Sequence, residues 1–257
     1  MRDMDVNPIH RVYSGIKRRL RNGVRRGLRL ISSQRRRRRQ AFREVYKDNV
    51  WGTDPQSKFF SGAGSRGIPV ELYVEQMTAL IRRHSSELGR PLTIVDLGCG
   101  DFQVGRALLS QLPDITYIGC DIVPELIAHN SRTYADRRTS FRQIDIVTDP
   151  LPAGDICLIR QVLQHLSNSD IDAFLKRAEY PYLYVTEGHP TQQTGSPNPD
   201  KPTGHDVRFD WQTGKGRGVE LNLPPFGLIA SEVFRAINPP TEVIITERVI
   251  LKNAKKL

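Results

Sequence analysis

Residues 93–105 read Thr-Ile-Val-Asp-Leu-Gly-Cys-Gly-Asp-Phe-Gln-Val-Gly, and this is where the sequence is densest in chemical meaning. Gly98 and Gly100 follow a β-branched, apolar run, and without Cβ atoms the main chain can turn tightly there and come close to a ligand. Asp121 stands 21 residues beyond Gly100, where a carboxylate can accept hydrogen bonds from ribose hydroxyls. The pattern asks for a nucleotide-like ligand, and two details select its kind. A dinucleotide fingerprint wants a third glycine three residues after the second, and that position is Gln103. Asp96 and Asp101 also crowd the turn with negative charge, which suits the cationic amino group and sulfonium of S-adenosylmethionine (SAM) better than a diphosphate.

The elements that must position these residues follow from a regular alternation. Leu92–Leu97 reads as a buried strand, and then come a helix over Val104–Leu112, a strand Tyr117–Asp121, a helix opened by Pro124 and reaching Tyr134, and a strand Ser140–Asp145. Asp155–Arg160 is a fourth strand, Ser169 or Asp170 caps a helix through Ala178, and Tyr182–Glu187 is a fifth strand. A helix from Pro69 to Leu88 precedes the series, and Thr241–Lys252 suggests a closing strand. Strands alternating with helices imply an α/β fold. The expectation is a doubly wound, mostly parallel seven-stranded sheet with helices on both faces. Its ligand belongs beyond the carboxyl ends of the strands, at the switch in strand order.

Taken together, the motifs Asp96–Gly105, Asp121 and Asp145 resemble the class I SAM-dependent methyltransferase family, over residues from about 59 to 252. The resemblance implies that the Gly98–Gly100 backbone holds the methionine part of the cofactor with Asp96 supporting the loop. It implies that Asp121, with Ile122 beside it, binds the ribose, and that Asp145 lies near the adenine amino group with Ile146 against the ring. The Arg160–Leu166 stretch (RQVLQHL) resembles the segment that flanks the cofactor in this family. The implied activity is methyl transfer from SAM, with a hydroxyl of a glycan or small metabolite as the favoured acceptor.

A hydroxyl acceptor benefits from a general base. Glu187 and His189 after the fifth strand, His165 after the fourth, and His205 and Asp206 further on are the candidates. The fourth strand ends without an Asn/Asp-Pro-Pro-Tyr/Phe signature, which argues against methylation of nucleobase amines. Residues 188–225 are rich in glycine and proline and too long for an ordinary connection, so they read as a substrate-side insertion. Trp211, Arg208, Lys215 and Arg217 within it could close over an anionic or sugar-like acceptor.

Charge divides the chain in two. Lys and Arg total 38 against 28 Asp and Glu, but residues 1–45 alone hold fifteen basic and three acidic residues, a net +12, leaving −2 on the rest. The reading is a basic arm, flexible or amphipathic, over 1–45 and a catalytic domain over 46–257. Ile16, Leu20, Val24, Leu28 and Ile31 fall on one helical face of the arm. Residues 11–39 could therefore contact an anionic membrane from the cytoplasmic side. RNA is the rival partner for the same charge, and a non-catalytic SAM-binding or basic scaffold protein the rival function. No apolar run reaches the ~20 residues of a membrane span, and no secretory signal is evident, so a cytoplasmic protein is expected. Cys99, Cys120 and Cys157 form no CxxC pair and read as small core residues of a reducing compartment, with no metal site expected.

Overall fold

The computed structural model describes residues 31–238 and 240–254. Helix α1 covers 31–47, and a short 3-10 turn at Ala63–Ser65 leads into α2 (Ile68–Leu88). The alternating core follows as β1 (Thr93–Leu97), α3 (Gln103–Ser110), β2 (Thr116–Asp121), α4 (Pro124–Tyr134), β3 (Thr139–Gln143) and β4 (Ile156–Arg160). A second 3-10 turn at Leu163–His165, α5 (Asn168–Leu175) and β5 (Tyr182–Pro190) come next. Three two-residue strands, β6 (Gln192–Gln193), β7 (Phe209–Asp210) and β8 (Lys215–Gly216), precede the closing hairpin β9 (Ile229–Asn238) and β10 (Glu242–Ile250).

The main sheet has seven strands in the order β3-β2-β1-β4-β5-β10-β9. The first five are parallel, while β10 runs antiparallel to both β5 and β9. The order reverses at β1, so the turn after β1 opens at the switch point where such sheets bind ligands. Strand side chains alternate between two cores. Ile94, Ile156, Leu158 and Tyr184 pack with Met77 and Ile81 of α2 and Leu108 of α3. Val95, Leu97, Cys157, Ile159 and Val185 pack with Ile171 and Phe174 of α5 and with Val219, Leu221 and Phe226. Among the described residues no helix follows β5, and Val219, Leu221 and Phe226 pack on this face of the sheet.

Several boundaries differ from the sequence expectation. Strand β3 stops at Gln143, two residues short of Asp145, which lies in the following turn with its carboxylate accepting from Val147 N and Thr148 Oγ1. Strand β9 was not anticipated, because an edge strand with much of its surface exposed needs no regular apolar alternation. Helix α1 runs through the boundary expected at 45, and its inner face is buried: Val45 belongs to the core and Arg38 is only 7% exposed. Of the apolar face foreseen on the arm, Ile31 is exposed, and Ile16, Leu20, Val24 and Leu28 lie outside the described residues. Among the described residues no helix is long and apolar enough to cross a membrane. The three cysteines are free and buried, as small core residues should be.

Candidate functional site

A cavity of about 1010 Å³ opens at the carboxyl ends of β1, β2 and β4. Asp96, Gly98, Gly100, Asp121, Ile122, Asp145, Ile146 and Arg160 all line it. The sequence therefore brings every expected cofactor residue to one place.

The glycine turn is built for closeness. Gly98 and Gly100 have φ of 84° and 54°, in the left-handed region that disfavours side chains. A Cβ on Gly98 would stand 2.2 Å from Val162 Cγ2, and one on Gly100 would stand 2.4 Å from Ser61 Oγ. The turn is pinned to β2 by Gly98 N and Cys99 N, which both donate to Cys120 O at 2.7 and 2.9 Å. Gly98→Ala is expected to destabilise the protein by at least ~1 kcal/mol from the backbone alone. Adding Val162→Ala should recover only the part owed to the contact. Urea unfolding of the two variants checks this, and full recovery would mean the backbone angle costs nothing.

Asp121 accepts from Gly100 N at 3.2 Å and Val123 N at 3.0 Å, so it holds the turn while its carboxylate remains at the cavity wall. Burial pushes it up to about 6 against the pull of those amides. Asp96 accepts from Tyr117 Oη at 2.5 Å and is also pushed up to about 6 by burial. On the neighbouring strand, Arg160 lies 5.2 Å from the Tyr73 ring centroid and donates to Gly64 O at 2.8 Å. Desolvation lowers its affinity for a proton, while Tyr73, Glu242 and Asp96 counter this.

Two further walls complete the cavity, the first not expected from the sequence and the second within the expected substrate-side insertion. Helix α1 contributes Arg38, Phe42 and Tyr46, and the following loop contributes Trp51 and Ser61–Ser65. Arg38 donates to Asp145 Oδ2 from Nε at 3.1 Å and from Nη2 at 2.8 Å, and to Asp170 Oδ1 at 3.2 Å. Arg35 pairs with Asp149 at 2.7 Å. Of the arginine run only Arg38 is buried, Arg35 makes a half-exposed ion pair, and Arg36 and Arg37 stay exposed. The spacing of Arg38, Phe42 and Val45 was the available signal for a buried helical face. The other wall is 201–207 with Phe209 and Trp211, whose rings lie 4.5 Å apart. Asn238, Thr241 and Glu242, where β9 turns into β10, complete the rim.

The expected bases separate. His165 lines the cavity: its Nδ1 meets Asp206 O at 3.3 Å, and its ring centroid lies 5.1 Å from that of Trp51. Burial pushes it down to about 4, so it is neutral at pH 7. His205 and Asp206 also line the cavity. Glu187 and His189 do not. Glu187 accepts from Val162 N, Leu163 N and Gln164 N at 3.2, 2.8 and 3.1 Å, capping the 3-10 turn from beneath. Burial lifts it to about 7. His189 packs under Gly218, where a Cβ would stand 2.5 Å from its Nδ1. Strand alternation explains both positions: 187 and 189 share the parity of Leu183 and Val185, which face the α5 core. Glu187→Ala should strip three amides, two of them in buried bonds, of their acceptor and cost about 3 kcal/mol in urea unfolding. A loss below ~1 kcal/mol would refute this structural role.

Arg208 is also a tie rather than a ligand-facing cation. It donates to Gln164 O at 3.0 Å and Leu166 O at 2.6 Å. Arg217 pairs with Glu220. Of the four insertion side chains expected over the acceptor, only Trp211 lines the cavity.

One family model and several solved structures match the chain. Residues 95–180 match the family model described as "Methyltransferase domain". A 1,6-didemethyltoxoflavin-N1-methyltransferase from Burkholderia thailandensis, solved with S-adenosylhomocysteine, is 18% identical. Its TM-score is 0.50, with 82% of this chain and 86% of that one covered. The N-methyltransferase NodS from Bradyrhizobium japonicum is 15% identical, with a TM-score of 0.49 and coverage of 81% and 98%. Human N-acetylserotonin methyltransferase is 17% identical, with a TM-score of 0.41 and coverage of 61% and 47%. The chain spans about half the length of that protein and of an O-methyltransferase from Planctomyces limnophilus. No curated protein sequence matches the chain.

Proposed function

We infer that this chain, whose residues 95–180 match a methyltransferase domain within a class I methyltransferase fold, is a SAM-dependent methyltransferase. One observation carries the reading: two Cβ-free positions, Gly98 and Gly100, and two buried carboxylates, Asp96 and Asp121, converge on one cavity at the sheet's switch point. The residues present fit such a cofactor. Asp121 would take the ribose hydroxyls with Ile122 beside it, the Gly98–Gly100 main chain and Asp96 the amino-acid end, and Ile146 the adenine face. SAM, when bound, supplies a methyl group already activated by its sulfonium. What the protein adds is alignment and exclusion of water.

Asp145 would act at the adenine end through its position, since Arg38, Thr148 and Val147 already occupy its oxygens. Arg160, on the strand beside Asp96, would hold an anionic or polar end of a ligand.

The acceptor we favour is a hydroxyl of a small metabolite or sugar. The volume lies at the upper end of the roughly 300–1000 Å³ of small-molecule sites, which suits donor and acceptor together. Trp51, Phe209 and Trp211 offer apolar faces to a ring, and His165, neutral at pH 7 and with Nε2 3.4 Å from Gln164 Nε2, is one of the expected bases that line the cavity. Arg36 and Arg37, exposed on α1, suit an anionic membrane face, with RNA the second reading of the same charge.

The test is transfer of tritiated methyl from SAM into fractionated cell extract by the full chain. Label in alkali-stable small molecules or glycans is expected. Label confined to RNA would replace the acceptor class, and absence of both transfer and S-adenosylhomocysteine binding would end the reading.

A further inference from the structure

Two flaps of different origin close the cavity, and both are seated on the same short stretch after β4. Helix α1 reaches it through Arg38 Nη1, which donates to Asp170 Oδ1 at 3.2 Å. The β5–β9 excursion reaches it through Thr203 Oγ1, which donates to the other oxygen, Asp170 Oδ2, at 2.6 Å. Thr203 Oγ1 also accepts from Ser167 N at 2.9 Å, the residue whose own hydroxyl caps α5 at Asp170 N. One carboxylate at the start of α5 is thus shared between the two flaps, one oxygen each.

We propose that Asp170 is a positioning residue that couples closure of the cofactor-side flap, α1, to closure of the loop 199–208 over the acceptor side. The inference rests on the cofactor reading above for its ligand-linked arm only. Arg38 bears simultaneously on Asp145 and on Asp170 Oδ1, so an inward setting of α1 orients the carboxylate whose other oxygen accepts from Thr203. His165 repeats the arrangement one turn earlier. Its ring meets Trp51 from the α1 side, while its carbonyl accepts from Gly204 N at 3.0 Å and Lys201 Nζ at 3.1 Å. Cofactor and acceptor would then be enclosed together, and filling either compartment would favour ordering of the other, by a reciprocal factor.

Hydrogen exchange of the full chain tests this with and without S-adenosylhomocysteine. In the unaltered protein the ligand should slow exchange both in 38–47 and in 199–208. In Asp170→Asn it should still protect 38–47, held by the Arg38–Asp145 pair, but no longer 199–208, with affinity changed less than about fivefold. Thr203→Val, which leaves the α5 carboxylate in place, should give the same uncoupling if Asp170→Asn fails to fold. Equal ligand protection of 199–208 in these variants and the parent overturns the proposal. The ligand-free arm stands apart from the cofactor reading: Thr203→Val alone should speed exchange in 38–47 at least twofold. No change there overturns the coupling, whereas failure of the parent to bind S-adenosylhomocysteine overturns only the cofactor assignment.

Discussion

Asp121→Ala is expected to weaken binding of S-adenosylhomocysteine by about 100-fold or more. Hydrogen bonds to a charged group contribute about 1.5–3 kcal/mol each, and two ribose hydroxyls meeting one carboxylate reach the 3 kcal/mol that corresponds to that factor. Calorimetric titration checks it, and a loss under tenfold would move the ribose site elsewhere. Asp121→Asn separates recognition from folding. In the native protein Asp121 is pushed up to about 6 by burial, while an unfolded aspartate titrates near 3.9. The native state therefore holds the proton more tightly, and this group's contribution to stability falls as pH rises through that interval. Asparagine does not titrate. Relative to the parent, ligand-free Asp121→Asn should gain stability between pH 4 and pH 6.5, by at most about 3 kcal/mol, while its ligand affinity drops. A stability difference independent of pH would contradict the burial argument.

Arg38→Ala is the second large effect. Asp145 is 2% exposed and meets this guanidinium through two donors, so truncation leaves a buried carboxylate without its counter-charge. Breaking one side of a buried pair costs about 3–5 kcal/mol, which for a chain of this size is a fall of about 10 °C in thermal midpoint. The helix it anchors should come away first, so trypsin should cut within 31–47 well before the body unfolds. Arg38→Met with Asp145→Asn removes both charges and should restore most of the midpoint. An unchanged midpoint and digestion pattern for Arg38→Ala would show that α1 is held by its apolar contacts alone.

Much of the scaffold could be read directly from residue order because local rules govern it. The strands β1, β2, β4 and β5 are largely apolar runs bounded by turn residues, and the glycine turn and Asp121 fall at fixed distances within one β-α-β unit. What resisted reading is non-local. Arg38 looks like its four neighbours in an arginine run, and only the fold brings Asp145 and Asp170 to it across separations of 107 and 132 residues. Glu187 and His189 were expected at the cavity because they end a strand, yet alternation along β5 turns them toward the α5 core. Residues 191–228 obey neither periodicity. Their order comes from single ties such as Arg208 to the carbonyls after β4, which no local pattern announces.

Asp96 and Asp121, each pushed up to about 6, share the wall of one cavity. Near pH 6 the pair of carboxylates is therefore partly protonated. Were SAM to bind as proposed, its cationic end near Asp96 and its ribose hydroxyls donating to Asp121 would each favour the ionised carboxylate, so binding would release acid into the medium. The heat of loading then includes the protonation heat of whatever buffer receives it. Titrations in two buffers of unlike ionisation enthalpy would differ at pH 6 and converge by pH 8, and the gap between them counts the protons expelled.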